Sequence, residues 1–334
     1  MKYRTLGIAG TAKNTGKTTT MAAVMSEIRR TMPDLRVAIT SIGYDGEYLD
    51  NVTGLPKPRV MMQEGDLAAV SKLCLKYSRA KLEVIEDSGI MSAMGPILIG
   101  RITRPGKLVI AGPNKRVEVR QMLSRLKDLG ADLTIVDGAL GRIVPMCEVE
   151  SLILATGASR HADIPRLAEE ARCMSDVLAM PAMEAPEVSV NPILTQDDAD
   201  TLFRALKAKD SVLVRGLIGP AYLQQLAEHA EEFSGKSLVL ETPISLLPAG
   251  DLPEMHNSLM TIQQKGITLG TTKPVRLVAV TVNPYYPRYR YNRNDYEPAY
   301  VDREELHKAI TDAVAAPVFD VVHQGASGLL KLLQ

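Results

Sequence analysis

Short apolar runs alternate with longer amphipathic stretches along this chain. The run at residues 5–10 predicts a buried strand. Residues 18–31 predict a helix, because apolar side chains recur there at the spacing of one helical face. Those side chains are Met21, Val24, Met25 and Ile28. Strands that alternate with helices in this way are typical of an α/β fold with a mainly parallel sheet.

The same pattern predicts the remaining elements. Further strands are predicted at residues 36–42, 81–85, 96–102, 108–111, 132–139, 151–155, 177–180, 211–215, 237–241, 275–282 and 317–322. Further helices are predicted at residues 66–78, 116–129, 164–175, 197–208, 220–233 and 303–315. Segment 244–270 is rich in Pro and Gly, which predicts irregular structure.

A proline-rich stretch at residues 181–195 predicts a linker. We therefore predict a nucleotide-binding domain at 1–180 and a C-terminal α/β lobe at 181–334. In the alternative arrangement, the strands within 276–322 return to the first sheet. That topology would make residues 190–270 an insertion.

The turn between the first strand and the first helix has the layout of a phosphate-binding P-loop, or Walker A motif. Its residues are Gly10, Thr11, Ala12, Lys13, Asn14, Thr15, Gly16, Lys17, Thr18 and Thr19. In the usual spacing G-x-x-x-x-G-K-[ST], Thr11 stands at the position of the first glycine, and Gly10 comes one residue earlier. The alternative is a chance Gly-Lys-Thr, but the strand, turn and helix all fall where the motif requires them.

The residue types in this turn suit a nucleoside triphosphate bound with Mg²⁺. Backbone N–H groups can surround phosphates where side chains are small, and the start of the helix adds its positive dipole end. Lys17 is expected to act in catalysis by stabilising the β- and γ-phosphates, and Thr18 to ligate Mg²⁺. Lys13 either contacts phosphate or is an ordinary surface lysine.

Acidic residues at two strand ends are candidates for catalysis and metal binding. Asp137 ends a strand at the carboxyl edge of the sheet, where ligands of open α/β sheets bind. We expect it to help hold Mg²⁺; the alternative is a cap for the following turn. Asp45 and Glu47 follow the second strand and are expected to ligate Mg²⁺, with Asp45 also orienting an attacking water. The alternative for both is a solvated acidic turn.

The late strand and the segment that follows it suggest two further contacts. Asn283 ends the strand, and its amide could hydrogen-bond a purine base or simply belong to the turn before Pro284. Residues 285–300 hold tyrosines interleaved with arginines, which suit stacking on a base, a cofactor ring or a partner protein. These residues are Tyr285, Tyr286, Arg288, Tyr289, Arg290, Tyr291, Arg293, Tyr296 and Tyr300. The alternative is an ordered loop packed on the sheet edge.

Composition narrows the class of protein. The 334 residues carry a formal net charge of zero, which disfavours a nucleic-acid role, and no apolar run reaches the length of a membrane span. The strand at the start leaves no room for a signal peptide. Cys74, Cys147 and Cys173 lack metal-site spacing and are predicted to be buried thiols in a reducing cytoplasm.

Two of these motifs resemble known families. The stretch Gly10–Thr18 resembles the P-loop of dethiobiotin synthetases, and Asp137–Gly141 resembles the acidic glycine motif of the same family. Asn14–Thr19 also resembles the loop of the accessory GTPases for molybdopterin guanine dinucleotide. Both families belong to the P-loop class that includes nitrogenase iron protein. The resemblance covers about the first 160 residues and implies nucleotide chemistry more directly than it implies a substrate.

The chain departs from this class at two positions. Dethiobiotin synthetases hold their substrate with a lysine at the end of the second strand, where this chain has Thr40–Gly43. The signature-lysine ATPases carry a lysine where this chain has Ala12. The stretch Gly10–Thr19, combined with the late sequences at 281–287 and 317–321, is similar to the P-loop accessory proteins that accompany cobalamin-dependent lysine 5,6-aminomutase. That similarity implies an ATPase that maintains or reactivates a radical mutase.

The sequence thus predicts a cytoplasmic, Mg²⁺-dependent ATPase that supports a partner enzyme. One alternative is a synthetase-like ligase acting on a small carboxylate, and another is a cofactor-assembly GTPase. The lack of an Asn/Thr-Lys-x-Asp guanine signature favours ATP, with GTP left open. A nucleotide sensor without turnover and a homodimer are also left open.

Overall fold

The computed structural model describes residues 1–43, 60–248 and 250–334. Its helices are α1 (Lys17–Thr31), α2 (Lys72–Lys76), α3 (Arg116–Asp128), α4 (Ile164–Leu178), α5 (Gln196–Ala208), α6 (Pro220–Glu228), α7 (Leu252–Gln264), α8 (Arg303–Ala313) and α9 (Ser327–Leu333). Its strands are β1 (Thr5–Gly10), β2 (Val37–Ser41), β3 (Val60–Met62), β4 (Leu67–Ser71), β5 (Lys81–Ser92), β6 (Gly95–Arg104), β7 (Gly106–Leu108), β8 (Leu133–Ala139), β9 (Ser151–Gly157), β10 (Ser189–Val190), β11 (Ser211–Val214), β12 (Ser237–Leu240), β13 (Thr268–Thr271), β14 (Arg276–Asn283), β15 (Tyr285–Arg290), β16 (Asp295–Tyr300) and β17 (Val318–Phe319).

A large, mostly parallel sheet forms the centre of the first of two units. In the described part of the chain it has nine strands, in the order β17-β14-β9-β1-β8-β2-β4-β6-β5. β1 lies between β8 and β9 and pairs in parallel with both. The strands β4, β6 and β5 extend the sheet with antiparallel pairs on one side. The predicted α/β class with a mainly parallel sheet flanked by helices is confirmed.

The core of this unit forms where α1 and α9 pack on the sheet. Met21, Val24, Met25 and Ile28, the predicted face of α1, are all buried. They join apolar side chains of β1, β2 and β8 and the leucines of α9 in one cluster. Burial of this apolar surface is the main stabilising contribution to such a core.

The division into units differs from the predicted boundary at residue 180. The first unit contains Met1–Ala168 together with Leu277–Gln334, and the second contains Glu169–Arg276. The C-terminal segment belongs to the first unit because β14 and β17 are strands of its sheet. The chain therefore has the insertion topology that the sequence analysis held as its alternative.

The second unit is built on a four-stranded parallel sheet in the order β10-β11-β12-β13. One helix follows each of the first three strands, namely α5, α6 and α7. Leu202, Leu206, Leu223 and Ile262 bury the inner faces of these helices. Such an order of strands and helices is the regular βα pattern of parallel sheets.

Some predicted elements are wrong. The helix predicted at 66–78 is wrong in its first half: Leu67–Ser71 is a strand buried between β2 and β6, because a short apolar run fits a strand as well as a helix, and only Lys72–Lys76 is helical. Residues 177–180 do not start a strand, since α4 continues to Leu178. Segment 244–270 contains α7 and β13. Asp251 caps α7 by accepting a hydrogen bond from Glu254 N, and a proline in the first turn is compatible with a helix.

None of the helices described here is both long enough and apolar enough to cross a membrane.

Candidate functional site

The carboxyl ends of β1, β2 and β8 meet at one edge of the large sheet. In the strand register, Gly10 lies beside Ala139, and Ser41 lies beside Asp137. β9 and β14 end at the same place, where Ala158 N donates to Asn283 O at 3.0 Å. This is the edge at which ligands of parallel α/β sheets bind.

The turn Gly10–Gly16, called the glycine loop from here on, connects β1 to α1 at this edge. Asn14 and Gly16 have φ angles of 62° and 90°, in the left-handed region that lets the chain reverse tightly. A Cβ on Gly10 would lie 3.1 Å from Thr15 Oγ1 and 3.3 Å from Ala12 O, so the loop is closely folded there. Lys13 is exposed.

Lys17 and Asp137 form a buried ion pair beneath this loop. Lys17 Nζ lies 2.9 Å from Asp137 Oδ2, and both side chains are at most one-tenth exposed. Lys17 is the first residue of α1, and Asp137 sits near the end of β8. Asp137 O also accepts a hydrogen bond from Ile42 N, which joins β8 to the end of β2. The sequence predicted both residues at one site, and the structure brings them into direct contact.

The N-terminus of α1 presents backbone donors to this region. Gly16 is the N-cap residue of the helix and, as a glycine, has no side chain that could cap it. Within residues 1–43, 60–248 and 250–334, no hydrogen bond from the amides of Ala12, Lys13 or Thr15 is found. Free amides at the start of a helix favour a bound anion, because they add to the positive end of the helix dipole.

Thr11 is held by three hydrogen bonds to β9 and the loop after it. Thr11 N donates to Ala155 O at 2.9 Å, and Thr11 Oγ1 donates to Thr156 Oγ1 at 3.0 Å. Thr11 O accepts from Arg160 Nη1 at 2.7 Å. Sequence reasoning missed Arg160, because no motif marks it; its only signal was a position just after a strand end at the ligand edge.

Asn283 contacts the glycine loop directly. Its Nδ2 donates to Asn14 O at 2.8 Å, and its Oδ1 accepts from Tyr285 N at 3.2 Å. A Cβ on Gly157 would lie 2.2 Å from Asn283 O, so β9 and β14 approach as closely as a glycine allows. In the structure, both polar atoms of the Asn283 side chain bind backbone groups of the protein. The predicted contact with a purine base stays a prediction.

Only some of the candidate metal ligands lie among the described residues. Thr18, in the first turn of α1, is half-buried, and Thr19 is exposed. Asp45 and Glu47 lie outside the described residues. No group of three or more His, Cys, Asp or Glu side chains that could hold a metal is found among the residues described. Thr18 and Asp137 would suit Mg²⁺, which takes one or two protein ligands and completes its shell with water and phosphate.

Residues 285–300 form a hairpin of β15 and β16 rather than a loop. Cross-strand pairs put tyrosines and prolines on one face, which we call the tyrosine face; it comprises Tyr285, Pro287, Tyr289, Tyr296, Pro298 and Tyr300. Tyr285 packs edge-on against Tyr300 and Tyr289 against Tyr296. The opposite face pairs Arg288 with Glu297 and Arg290 with Asp295 and Glu297.

The three cysteines are buried, as predicted. Burial raises the pKa of the Cys74 thiol to about 11. The pKa of the Cys173 thiol is also raised to about 11, and burial is the largest cause. Thiolate is the reactive form of cysteine, so these two side chains are structural at neutral pH.

Comparison with known proteins does not identify the chain. No model of a known protein family matches it, and no curated protein matches it either.

Proposed function

We propose that the glycine loop binds the phosphates of a nucleoside triphosphate with Mg²⁺, and that the protein hydrolyses this nucleotide. The observation that carries the proposal is the Lys17–Asp137 pair at 2.9 Å, at the start of α1 and the end of β8. A cation and a carboxylate are the two groups that a P-loop site needs beside its backbone amides. The Walker A layout of residues 10–19 supports the same assignment.

Lys17 would supply charge to the β- and γ-phosphates. In the structure its ammonium faces Asp137; a bound triphosphate offers a second, more negative partner at the start of the same helix. The amides of the glycine loop and of α1 would hold the remaining phosphate oxygens. Such fixed donors stabilise the charge that develops in phosphoryl transfer, and this electrostatic term dominates catalysis of the reaction.

Thr18 and Asp137 would hold Mg²⁺, Thr18 through its hydroxyl and Asp137 directly or through water. When bound, the metal neutralises charge on the β- and γ-phosphate oxygens. Asp45 and Glu47 remain predicted ligands. ATP is the proposed nucleotide, with GTP as the alternative, because the sequence carries no guanine signature.

The exposed tyrosine face supports an accessory role toward a partner enzyme, such as a cobalamin-dependent aminomutase. Tyr300 is 66% exposed and Tyr296 39%, and exposed aromatic residues are enriched at protein interfaces. A partner enzyme is then expected to raise the hydrolysis rate. The ligase alternative requires turnover that depends on one small carboxylate instead.

The proposal is tested by calorimetry with ATP and GTP, with and without Mg²⁺, and by phosphate release. Wild-type protein should bind Mg²⁺–ATP and release phosphate. Lys17→Ala should lower kcat/KM by at least about 100-fold, because one charge-assisted contact in the transition state is removed. Lys127→Ala, an exposed lysine of α3, is the matched control and should match wild type. Wild-type protein that binds neither nucleotide would refute the proposal.

A further inference from the structure

Three carbonyl groups of the glycine loop, those of Thr11, Ala12 and Asn14, are each held by a side-chain donor. Arg160 Nη1 donates to Thr11 O at 2.7 Å, and Thr15 Oγ1 donates to Ala12 O at 3.0 Å. Asn283 Nδ2 donates to Asn14 O at 2.8 Å. Thr15 belongs to the loop itself. Arg160 and Asn283 reach it from outside, one from the segment after β9 and the other from the end of β14.

A held carbonyl fixes the direction of the next amide. The peptide group is planar and trans, so its C=O and the N–H of the following residue point in opposite directions. Because the carbonyls of Thr11, Ala12 and Asn14 point toward these side-chain donors, the N–H groups of Ala12, Lys13 and Thr15 point away from them. No hydrogen bond from these three amides, or from that of Asn14 between them, is found in the described part of the chain.

Successive free amides that turn to one side form a concave anion site. We propose that Arg160 and Asn283 are positioning residues that keep the glycine loop in this anion-binding form. Arg160 acts through the carbonyl of Thr11 and Asn283 through the carbonyl of Asn14. The inference rests on the proposed function, because it assigns the free amides to phosphate.

Arg160 is anchored well enough for this task. Arg160 is half-buried, and its own N donates to Gly157 O at 2.8 Å. Its neighbour Ser159 donates through Oγ to Tyr285 O at 3.1 Å, which ties the segment after β9 to the start of the hairpin. A guanidinium donor makes a stronger hydrogen bond than a neutral one, so the hold on Thr11 is firm.

Binding of inorganic pyrophosphate tests the inference without a nucleobase. Arg160→Ala should weaken pyrophosphate and Mg²⁺–ATP binding alike, by about 10- to 100-fold, since a charge-assisted hydrogen bond is lost. Arg160→Lys keeps one donor and should restore part of the affinity. Arg172→Ala, on the helix that follows, is the matched control, because the Arg172 guanidinium lies 3.9 Å from Asp176 of its own helix.

Asn283→Asp separates positioning from base recognition. The carboxylate has the same shape but cannot donate to Asn14 O, so a positioning role predicts weaker pyrophosphate binding by about 5- to 10-fold. A role in base recognition predicts unchanged pyrophosphate binding and an altered ATP-to-GTP preference. In a hydrogen-exchange experiment, the backbone amides of a peptide covering residues 8–20 should exchange faster in Arg160→Ala and in Asn283→Asp than in wild type.

The outcomes are distinct. If wild-type protein binds pyrophosphate and Arg160→Ala binds it equally well, the positioning role is overturned while the proposed function stands. If the protein binds pyrophosphate in an Arg160-dependent way but never hydrolyses nucleotide, the hydrolysis proposal fails and the positioning role stands. If wild-type protein binds no phosphate compound, both are overturned.

Discussion

Thr11 occupies the position at which the phosphate-loop motif usually has a glycine, and its surroundings explain the difference. Its hydroxyl is buried and bonded to Thr156, while its backbone N and O are bonded to Ala155 and Arg160. A buried hydroxyl with a partner is tolerated where an unpaired one would be costly. The side chain at this position thus fixes the loop to β9.

At Gly157, β9 and β14 approach too closely to leave room for a side chain. Gly157→Ala would place a Cβ 2.2 Å from Asn283 O, a backbone atom that cannot move without shifting β14. We expect the variant to lower the free energy of unfolding by about 1–3 kcal/mol, measured by urea denaturation. It should also weaken pyrophosphate binding, because Asn283 would move with the strand.

Gly141→Ala is the matched control for that measurement. A Cβ there meets nothing within 4 Å, so its unfolding free energy should stay within about 0.5 kcal/mol of wild type. Equal stability of the two variants would show that the close approach at Gly157 carries no cost.

At the residue scale, the sequence predicted which residues lie at the site better than it predicted their contacts. Lys17 and Asp137 are 120 residues apart, yet each was marked by a motif, so their common location could be foreseen. The bonds from Arg160 and Asn283 to loop carbonyls could not be, because they depend on how three strand ends are arranged in space.

Elements with a strong periodic pattern were predicted well, and short apolar runs were not. α1, α3 and α5 have long amphipathic patterns, and their predicted bounds differ from the observed ones by at most one residue at either end. Leu67–Ser71 carries no such pattern, so only its burial between neighbouring strands makes it a strand. In the hairpin of β15 and β16, tyrosines and prolines recur at every second residue on one face. The prolines and charged residues in these strands hide that alternation in the sequence.

α5 offers a prediction about pH at the scale of one element. Thr195 and Asp198 form a capping box, and the pKa of Asp198 is lowered chiefly by the hydrogen bond from the Thr195 side chain and then by the backbone of Leu194. A lowered folded-state pKa adds stability above the usual aspartate pKa, and that stability is lost as the pH falls through the lowered value. Asp198→Asn should therefore be less stable than wild type at about pH 6, with the difference shrinking toward about pH 3.

Urea midpoints across this pH range would measure the effect. Asp200→Asn, in the same helix, is the control, because Asp200 bonds Gln196 and not the residues before the helix. If both variants follow the same pH profile, the capping box does not contribute to acid stability.

For the whole molecule, the sequence predicted the fold class but could not decide where the chain divides into its two units. The proline-rich stretch near residue 181 indicated a boundary, whereas the second unit begins within α4 and ends at Arg276. Nothing local in the sequence of β14 shows that it pairs with β9, which is more than one hundred residues away. Long-range strand pairing depends on the assembled sheet and therefore escapes sequence patterns.

This topology predicts the behaviour of a shortened chain. A protein ending at residue 275 would lack β14, β17 and α9, and with them the buried Leu329, Leu330 and Leu333. The first unit would then expose one edge of β9 and much of the face of α1, so we expect it not to fold cooperatively. Circular dichroism and thermal unfolding check this prediction. A cooperative unfolding transition as large as that of the full chain would contradict it.

The contact between Asn283 and Asn14 also has a consequence for the order of events during synthesis. The two residues are 269 positions apart, so at about 5–20 residues per second the ribosome makes Asn283 on the order of 13–54 s after Asn14. During that interval the nascent chain carries the glycine loop without the strand whose Asn283 holds the Asn14 carbonyl. If Asn283 positions the loop as proposed, the full affinity for phosphate is reached only after this late strand has been made.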